Sequence, residues 1–269
     1  MKSLLRTALD AAEAAALEHR RWAGRLRAGA ATEKARADYV SQADLDAQAA
    51  ALAIIEERHP GHGVLAEEAD EPVEKRLARW DGGPLWVVDP LDGTANFLHG
   101  HPFYCASVAV AVEGRPVAGA VVSGSTGERW WAAEGEGACK GGRRIHVSPT
   151  GPLRHALVGT GFPFKRTELL PTYLGQLDRV LRSSAGVRRA GAAALDLCYL
   201  AQGSLDAFWE EMLMPWDFAA GVVIVREAGG VMTRPDGSEL DMAPGAVRGA
   251  NGVELLEELR GVLESPVGP

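Results

Sequence analysis

The sequence predicts a layered α/β fold, on three observations. The first half reads as helices followed by an antiparallel run of strands. The second half alternates strand and helix. The 269 residues are enough to bury a sizeable core. Hydrophobic residues make up 46% and charged residues 24%, near the globular average, which excludes a disordered chain.

Residues 3–27 read as an amphipathic helix, because Leu4, Ala8, Ala11, Ala15 and Trp22 recur at helical spacing between charges. Small residues from Gly29 to Thr32 break it. A second helix is expected from Ala43 to Arg58, with Leu45, Leu52 and Ile55 on one face, stopped by His59-Pro60-Gly61-His62-Gly63. The acidic and mixed stretch 67–83 is expected to be a loop. Leu85–Val88 reads as a buried strand; Tyr104–Val112 and Pro116–Val122 form a hairpin around Glu113-Gly114-Arg115; Glu128–Ala133 is a further strand. Glycines 135, 137, 141 and 142 mark turns after it.

Further on, Ala156–Thr160, Val187–Ala190 and Asp206–Glu210 read as strands. Helices are expected at 168–182, Ala192–Ala201, Phe218–Glu227 and Gly252–Leu263. Pro and Gly at 147–153 suggest a boundary, giving domains 1–148 and 149–269.

The chain carries 28 basic and 36 acidic residues, a net charge of −8, which disfavours direct contact with nucleic acid or an anionic membrane. An anionic substrate would therefore need a bound cation. Cys105, Cys139 and Cys198 form no disulfide framework and point to a reducing compartment. Lys2, Arg6, Asp10 and Glu13 interrupt any signal-peptide core, and no uncharged run reaches the roughly 18 apolar residues of a membrane span. A soluble, cytoplasmic protein is expected.

The chemistry lies in Trp86-Val87-Val88-Asp89-Pro90-Leu91-Asp92-Gly93-Thr94-Ala95-Asn96-Phe97. A buried strand delivers two carboxylates at its end, and Pro90 stops the ladder and fixes a turn. Gly93 lets backbone approach a ligand, and a helix opening at Gly93-Thr94 would offer amides to an anion. Carboxylates for a hard cation thus sit beside amides for a phosphate, a combination that suits Mg²⁺. Taken alone, the same residues could be an acidic turn capping a helix. Leu65-Ala66-Glu67-Glu68 could likewise be a solvated loop. In Met214-Pro215-Trp216-Asp217-Phe218-Ala219-Ala220-Gly221, Asp217 could be a helix cap, and the small residues after it allow close packing.

Together, D-P-L-D-G-T-A-N-F at 89–97 and W-D-F-A-A-G at 216–221 resemble the inositol monophosphatase family, over roughly residues 34–260. Ala66-Glu67-Glu68-Ala69, Val40–Asp44, Arg189–Asp196 and Phe208-Trp209-Glu210 resemble further family segments, with Ala66 where the family usually has Gly. The resemblance implies a five-layer α-β-α-β-α sandwich of the sugar-phosphatase type. It implies two or three Mg²⁺ ions: Glu67, Asp89 and the Leu91 carbonyl would hold the first, and Asp89, Asp92 and Asp217 the second, with Glu67 also facing a third. Asp44 and Thr94 would form a pair that, with Glu67, orients the attacking water. The Gly93 and Thr94 amides would cradle the phosphate, with Asp92 and Asp217 at the substrate. Glu210, Gly191 and the residues around Ala193 would contact sugar or cyclitol hydroxyls.

Two cations would then clamp the attacking and leaving oxygens of an in-line displacement. The resemblance further implies lithium sensitivity, a homodimer, and a small phosphate monoester as substrate. Inositol 1-phosphate is the first expectation, with histidinol phosphate or fructose 1,6-bisphosphate as alternatives. A regulatory partner of the transcription machinery is an expectation of a different class. Haloacid-dehalogenase-type phosphatases carry D-x-D-G-T, one residue shorter than the D-x-x-D-G-T here, so their spacing does not match.

Other residues read more simply as structure. His59 and His62 flank a turn, His99 and His101 border the motif, and Cys105 and Cys198 sit in apolar runs. Trp130 and Trp131 alternate across a strand, so one ring is expected in the core and the other could meet an interface. Arg179, Arg182, Arg188 and Arg189 make a solvated face or the mouth of a site.

Overall fold

A computed structural model describes residues 1–26, 32–35 and 38–265. Helix α1 (Lys2–Trp22) opens the chain, and α2 (Gln42–Arg58) follows a short antiparallel pair, β1 (Thr32–Ala35) and β2 (Asp38–Val40). Helix α1 ends five residues before its expected limit, and most of the expected Gly29–Thr32 break lies outside the described residues. Next come β3 (Gly63–Ala66), α3 (Val73–Ala78), β4 (Leu85–Asp92) and the short α4 (Thr94–Leu98). An antiparallel run continues with β5 (Cys105–Val112), β6 (Arg115–Ser123), β7 (Arg129–Ala133), β8 (Gly137–Lys140) and β9 (Arg143–Arg144). The second half runs β10 (Leu157–Thr160), α5 (Leu170–Ser183), β11 (Gly186–Arg188), α6 (Ala193–Ala201), β12 (Ala207–Leu213) and α7 (Pro215–Glu227). It closes with β13 (Val231–Thr233), β14 (Gly245–Ala250) and α8 (Val253–Glu264).

These elements stack in five layers. A seven-stranded sheet runs β3-β4-β5-β6-β7-β8-β9, parallel at β3–β4 and antiparallel beyond. A five-stranded sheet runs β11-β10-β12-β14-β13. Strand β5 is apolar apart from Ser107 because both its faces are covered. Ala106, Val108 and Val110 face α1 and α2, while Cys105, Ala109 and Ala111 join a core with α6 and α7. That same core holds Phe208 of β12, so α6 and α7 form the central layer between the sheets. Val158, Ala207 and Trp209 face the outer pair, α5 and α8, through Tyr173, Val180 and Leu259.

Small residues set the layer spacing. Helix α1 lies on the sheet through Ala8, Ala11, Ala12, Ala15 and Ala16, all fully buried. On the other face, a Cβ at Gly119 of β6 would come within 2.7 Å of the Ala220 Cα, so α7 touches the sheet backbone to backbone. A Cβ at Gly221 would come within 2.4 Å of Leu197, bringing α7 against α6 as the Ala219-Ala220-Gly221 run leads one to expect.

Two expectations are corrected, and several strands were not foreseen. The 67–83 loop contains α3. Strand β4 does not stop at Val88; it resumes pairing at Asp92 after a bulge at Pro90-Leu91. The glycine-marked segment after β7 pairs as β8 and β9, because its glycines lie at the strand ends and turns. Strands β3, β13 and β14 were not legible: two are only three or four residues long, and β14 is two-thirds glycine and alanine with no alternation. The hairpin stands, turning on Glu113 and Gly114, both at positive φ. Trp130 is buried against the α7 side, and Trp131 packs partly buried on the α1 side. The arginine run divides: Arg179 donates to the Val262 and Leu263 carbonyls at the end of α8, Arg182 pairs with Asp178, and Arg189 stacks on Phe162 and Phe164.

Candidate active site

The site forms at the carboxyl ends of β3 and β4, where the parallel pair meets the antiparallel run. The Glu67 N–H donates to the Val88 carbonyl at 3.0 Å, extending the β3–β4 ladder by one residue. Gln48 of α2 holds the next residue from both sides, donating to the Glu68 carbonyl at 2.6 Å and accepting from the Glu68 N–H at 3.0 Å. Glu67 thus leaves the sheet on an anchored backbone.

The two aspartates of β4 owe their placement to the bulge. Asp89 pairs in register with Ser107 and Asp92 with Cys105, so two residues of β4 loop out against one of β5. Pro90 has no N–H to contribute, which is why the ladder breaks there. Side chains take over. The Leu91 N–H donates to Asp89 Oδ1 at 3.0 Å, and the Thr94 hydroxyl lies 3.0 Å from the Leu91 carbonyl. The His19 imidazole of α1 reaches the Pro90 carbonyl at 2.7 Å. Gly93 follows at φ +91, and a Cβ there would come within 2.9 Å of the Phe103 carbonyl and 3.3 Å of Ala192. It hands the chain to Thr94 at the start of α4.

Thr94 also sits 3.0 Å from Asp44 Oδ1. Asp44 is fully buried at the third position of α2, where Ser41 donates to it from its backbone at 2.8 Å and its hydroxyl at 2.6 Å. Burial raises Asp44 to about 6 despite these donors.

From the second half, α6 and α7 bring their first turns to the same place. Asp92 accepts from the Ala194 N–H at 2.8 Å, and the Ala193 N–H also favours its charged form. Asp217 caps α7 by accepting from the Met214 N–H at 2.7 Å. Glu210 ends the regular part of β12, against the bare backbone of Gly161. Gly191, at φ +98, packs against Asn96, whose amide donates to the carbonyls of Ala190 at 3.0 Å and Phe103 at 2.7 Å.

The carboxylates feel one another. Asp92 is raised to about 7, by burial and then by the charge of Asp217. Asp89 is pushed well above the carboxylate range by burial and by Glu67, Asp92 and Asp217. Glu210 is raised by burial, Asp217, Asp196 and Asp92. Among the described residues no three His, Cys, Asp or Glu side chains are grouped so as to hold a metal ion. The oxygen chemistry and mutual repulsion of these carboxylates nonetheless fit a hard divalent cation, which would reverse these shifts. Glu67, Asp89, Asp92, Asp217 and Glu210 are thus electrostatic neighbours, and Thr94 is paired with Asp44 beside them.

Sequence reasoning missed His19, Gln48, Ser41 and Asn96 as supports. Ser41 had a signal, being a serine three residues before Asp44 at a helix start. His19 had none, since nothing in α1 distinguishes a buried imidazole from its charged neighbours. His99 and His101 are exposed. A groove of about 730 Å³ between α1 and the β6–β7 turn is a poorer candidate, since its Arg6, Arg58 and Arg129 are already paired with Asp10 and Glu13.

The raised carboxylates give a pH dependence. A group raised in the folded state stabilises it fully below the unfolded value and loses that contribution as pH rises through the folded value. His19, pushed down to about 4 by burial, acts in the opposite sense, but only below its ordinary 6.5. Metal-free protein is therefore expected to melt higher at about pH 6.5 than at about pH 8.5, with added Mg²⁺ raising the alkaline value more. Thermal melts by circular dichroism with chelator test this; an equal or higher melting temperature at the alkaline pH would mean the carboxylates do not share a recess.

The chain matches a model of the inositol monophosphatase family over residues 1–265. It is 41% identical over 221 residues to an inositol-1-monophosphatase of Synechocystis, covering 82% of this chain and 75% of that protein. It is 39% identical over 253 residues to the Nus factor SuhB of Pseudomonas aeruginosa, covering 93% and 92%. Among solved structures, the extragenic suppressor protein SuhB of Bartonella henselae superposes with a TM-score of 0.87 at 36% identity, covering 97% and 98%. The inositol monophosphatase of Anabaena superposes with a TM-score of 0.85 at 33% identity, covering 99% and 97%. With its bulged β4 and the acidic first turn of α7 converging in one recess, this chain belongs to the inositol monophosphatase family.

Proposed function

We propose that the protein hydrolyses a small phosphate monoester with two or three Mg²⁺ ions, with myo-inositol 1-phosphate as substrate. The observation that carries this reading is the β4 bulge, which turns Asp89 and Asp92 toward Glu67 and Asp217 beside the Gly93-Thr94 backbone. Glu67, Asp89, Asp92, Asp217 and the Leu91 carbonyl would hold the ions, which supply positive charge and Lewis acidity at the phosphoryl group. Asp44 fixes the Thr94 hydroxyl by accepting its hydrogen bond, leaving the hydroxyl oxygen to orient water together with Glu67. The Gly93 and Thr94 amides face the phosphate. Glu210, Gly191 and Ala193 line the side where substrate hydroxyls would be recognised, with Glu210 accepting their hydrogen bonds. The relatives that bear the name inositol-1-monophosphatase support this substrate first.

The test is phosphate release from inositol 1-phosphate, histidinol phosphate, fructose 1,6-bisphosphate and a 3′-phosphoadenosine nucleotide, with Mg²⁺, with chelator and with Li⁺. Metal-dependent, Li⁺-sensitive release strongest with inositol 1-phosphate is expected. A preference for another ester would reassign the substrate, and release that persists in chelator would overturn the mechanism. A homodimer is expected in light scattering. Relatives named Nus factor favour a second reading, a regulatory role in transcription exercised through a surface. A cellular role of that kind should survive an active-site substitution; its loss along with hydrolysis would leave the hydrolytic reading alone.

A further inference from the structure

We propose that His19 is a positioning residue for the cation-binding loop. The inference rests on the hydrolytic reading above and adds a residue from α1, far in sequence from every motif of the site. The β4 bulge removes the Pro90 carbonyl from the ladder, since pairing jumps from Asp89 to Asp92. A buried carbonyl without a donor is unfavourable, and the His19 imidazole supplies one at 2.7 Å. Only an N–H can serve a carbonyl, so His19 carries its proton on Nε2. Its Nδ1 is then a bare acceptor, buried with no hydrogen-bond partner.

That orphaned nitrogen is informative. A residue kept only for packing would be better as an aliphatic side chain, which buries no unpaired acceptor. Histidine persists here at the expense of Nδ1 because Nε2 is needed. The ring is also fixed in place. Tyr104 meets it edge-on at 5.8 Å between centroids, Phe97 lies at 6.3 Å, and a Cβ at Gly124 would come within 2.5 Å of Nδ1. The Pro90 carbonyl belongs to the Pro90–Leu91 peptide, whose N–H donates to Asp89 Oδ1, so fixing the carbonyl fixes the donor on the other edge of the same plane. That plane holds the Asp89 carboxylate through its N–H and leads directly into Leu91, whose carbonyl begins the next peptide. Asp89 Oδ1 and the Thr94 hydroxyl hold the loop from the site side, and His19 holds it from behind.

The test compares His19→Gln, whose amide N–H reaches about as far as Nε2, with His19→Met, an unbranched side chain of similar length and no donor. Mn²⁺ binding is measured by electron paramagnetic resonance at a temperature where both are folded, beside wild type and Asp92→Asn. His19→Met is expected to bind Mn²⁺ roughly tenfold more weakly, the loss of about one buried hydrogen bond's worth of preorganisation, with His19→Gln close to wild type. Substrate KM at saturating Mg²⁺ should change less than the Mg²⁺ concentration for half-maximal activity. Should His19→Met not fold, His19→Asn, one methylene too short, takes its place with the same expectation. Equal Mn²⁺ affinity in the donor and donor-free variants, with Asp92→Asn weakened, overturns the positioning role alone. Wild-type binding no tighter than that of Asp92→Asn overturns the cation site, and the proposal with it.

Discussion

Asp92→Asn is expected to lower kcat/KM by roughly a hundred- to a thousandfold while the protein stays folded. The asparagine oxygen can still accept from the Ala194 N–H, so the contact between the β4 end and α6 survives. What is lost is a negative charge in a recess already crowded by Asp89, Asp217 and Glu210. The metal-free variant should therefore melt no lower than wild type, because a like-charge repulsion has been relieved. Steady-state kinetics beside thermal melts check both halves. Full activity in the variant would remove Asp92 from the site, and an unfolded variant would make it a structural residue instead.

The second large effect is remote from the chemistry. Gly119→Ala places a methyl group 2.7 Å from the Ala220 Cα and 3.2 Å from its carbonyl oxygen, and backbone cannot move aside by changing rotamer. Helix α7 must lift from the sheet, carrying Asp217 in its first turn with it. Overpacking of this kind destabilises by about 1–3 kcal/mol, a fall in melting temperature on the order of several degrees for a chain of this size. Activity should fall further than the folded fraction, because Asp217 shifts relative to Asp89 and Asp92. Gly151→Ala, where an added Cβ meets nothing within 4 Å, is the control. If Gly119→Ala matches it in melting temperature and turnover, the helix is not held at backbone distance.

Much of this was legible in the sequence because the relevant signals are local. The β5–β6 hairpin announces itself through two apolar runs around Glu113-Gly114, and the long helices through periodicity and clear stops. The acidic motif alone reads equally as a capping turn; its chemistry becomes legible only beside W-D-F-A-A-G at 216–221, through the family resemblance the two carry together. Illegible were elements that depend on partners distant in the chain. Strand β14 has no face of its own, and is a strand because β12 and β13 pair with its two edges. The continuation of β4 past Pro90 was read as a stop, since a proline does end local pairing; only β5 on the other side resumes it. His19 lies 71 residues from the carbonyl it serves, beyond the reach of any local pattern.

The alanine seam of α1 bears on how this lineage can drift. Ordinary cores erode when large side chains are trimmed and holes open. Ala8, Ala11, Ala12, Ala15 and Ala16 have almost nothing to trim, so that route of damage is closed along this face. The opposite route is wide open, since one added methylene becomes a wedge between helix and sheet. Neutral change on this face is thus confined to residues of alanine's size, while exposed positions such as Arg6, Leu17 and Arg21 can vary widely. Helix α1 should therefore fossilise on one side and diversify on the other, though it supplies none of the acidic groups.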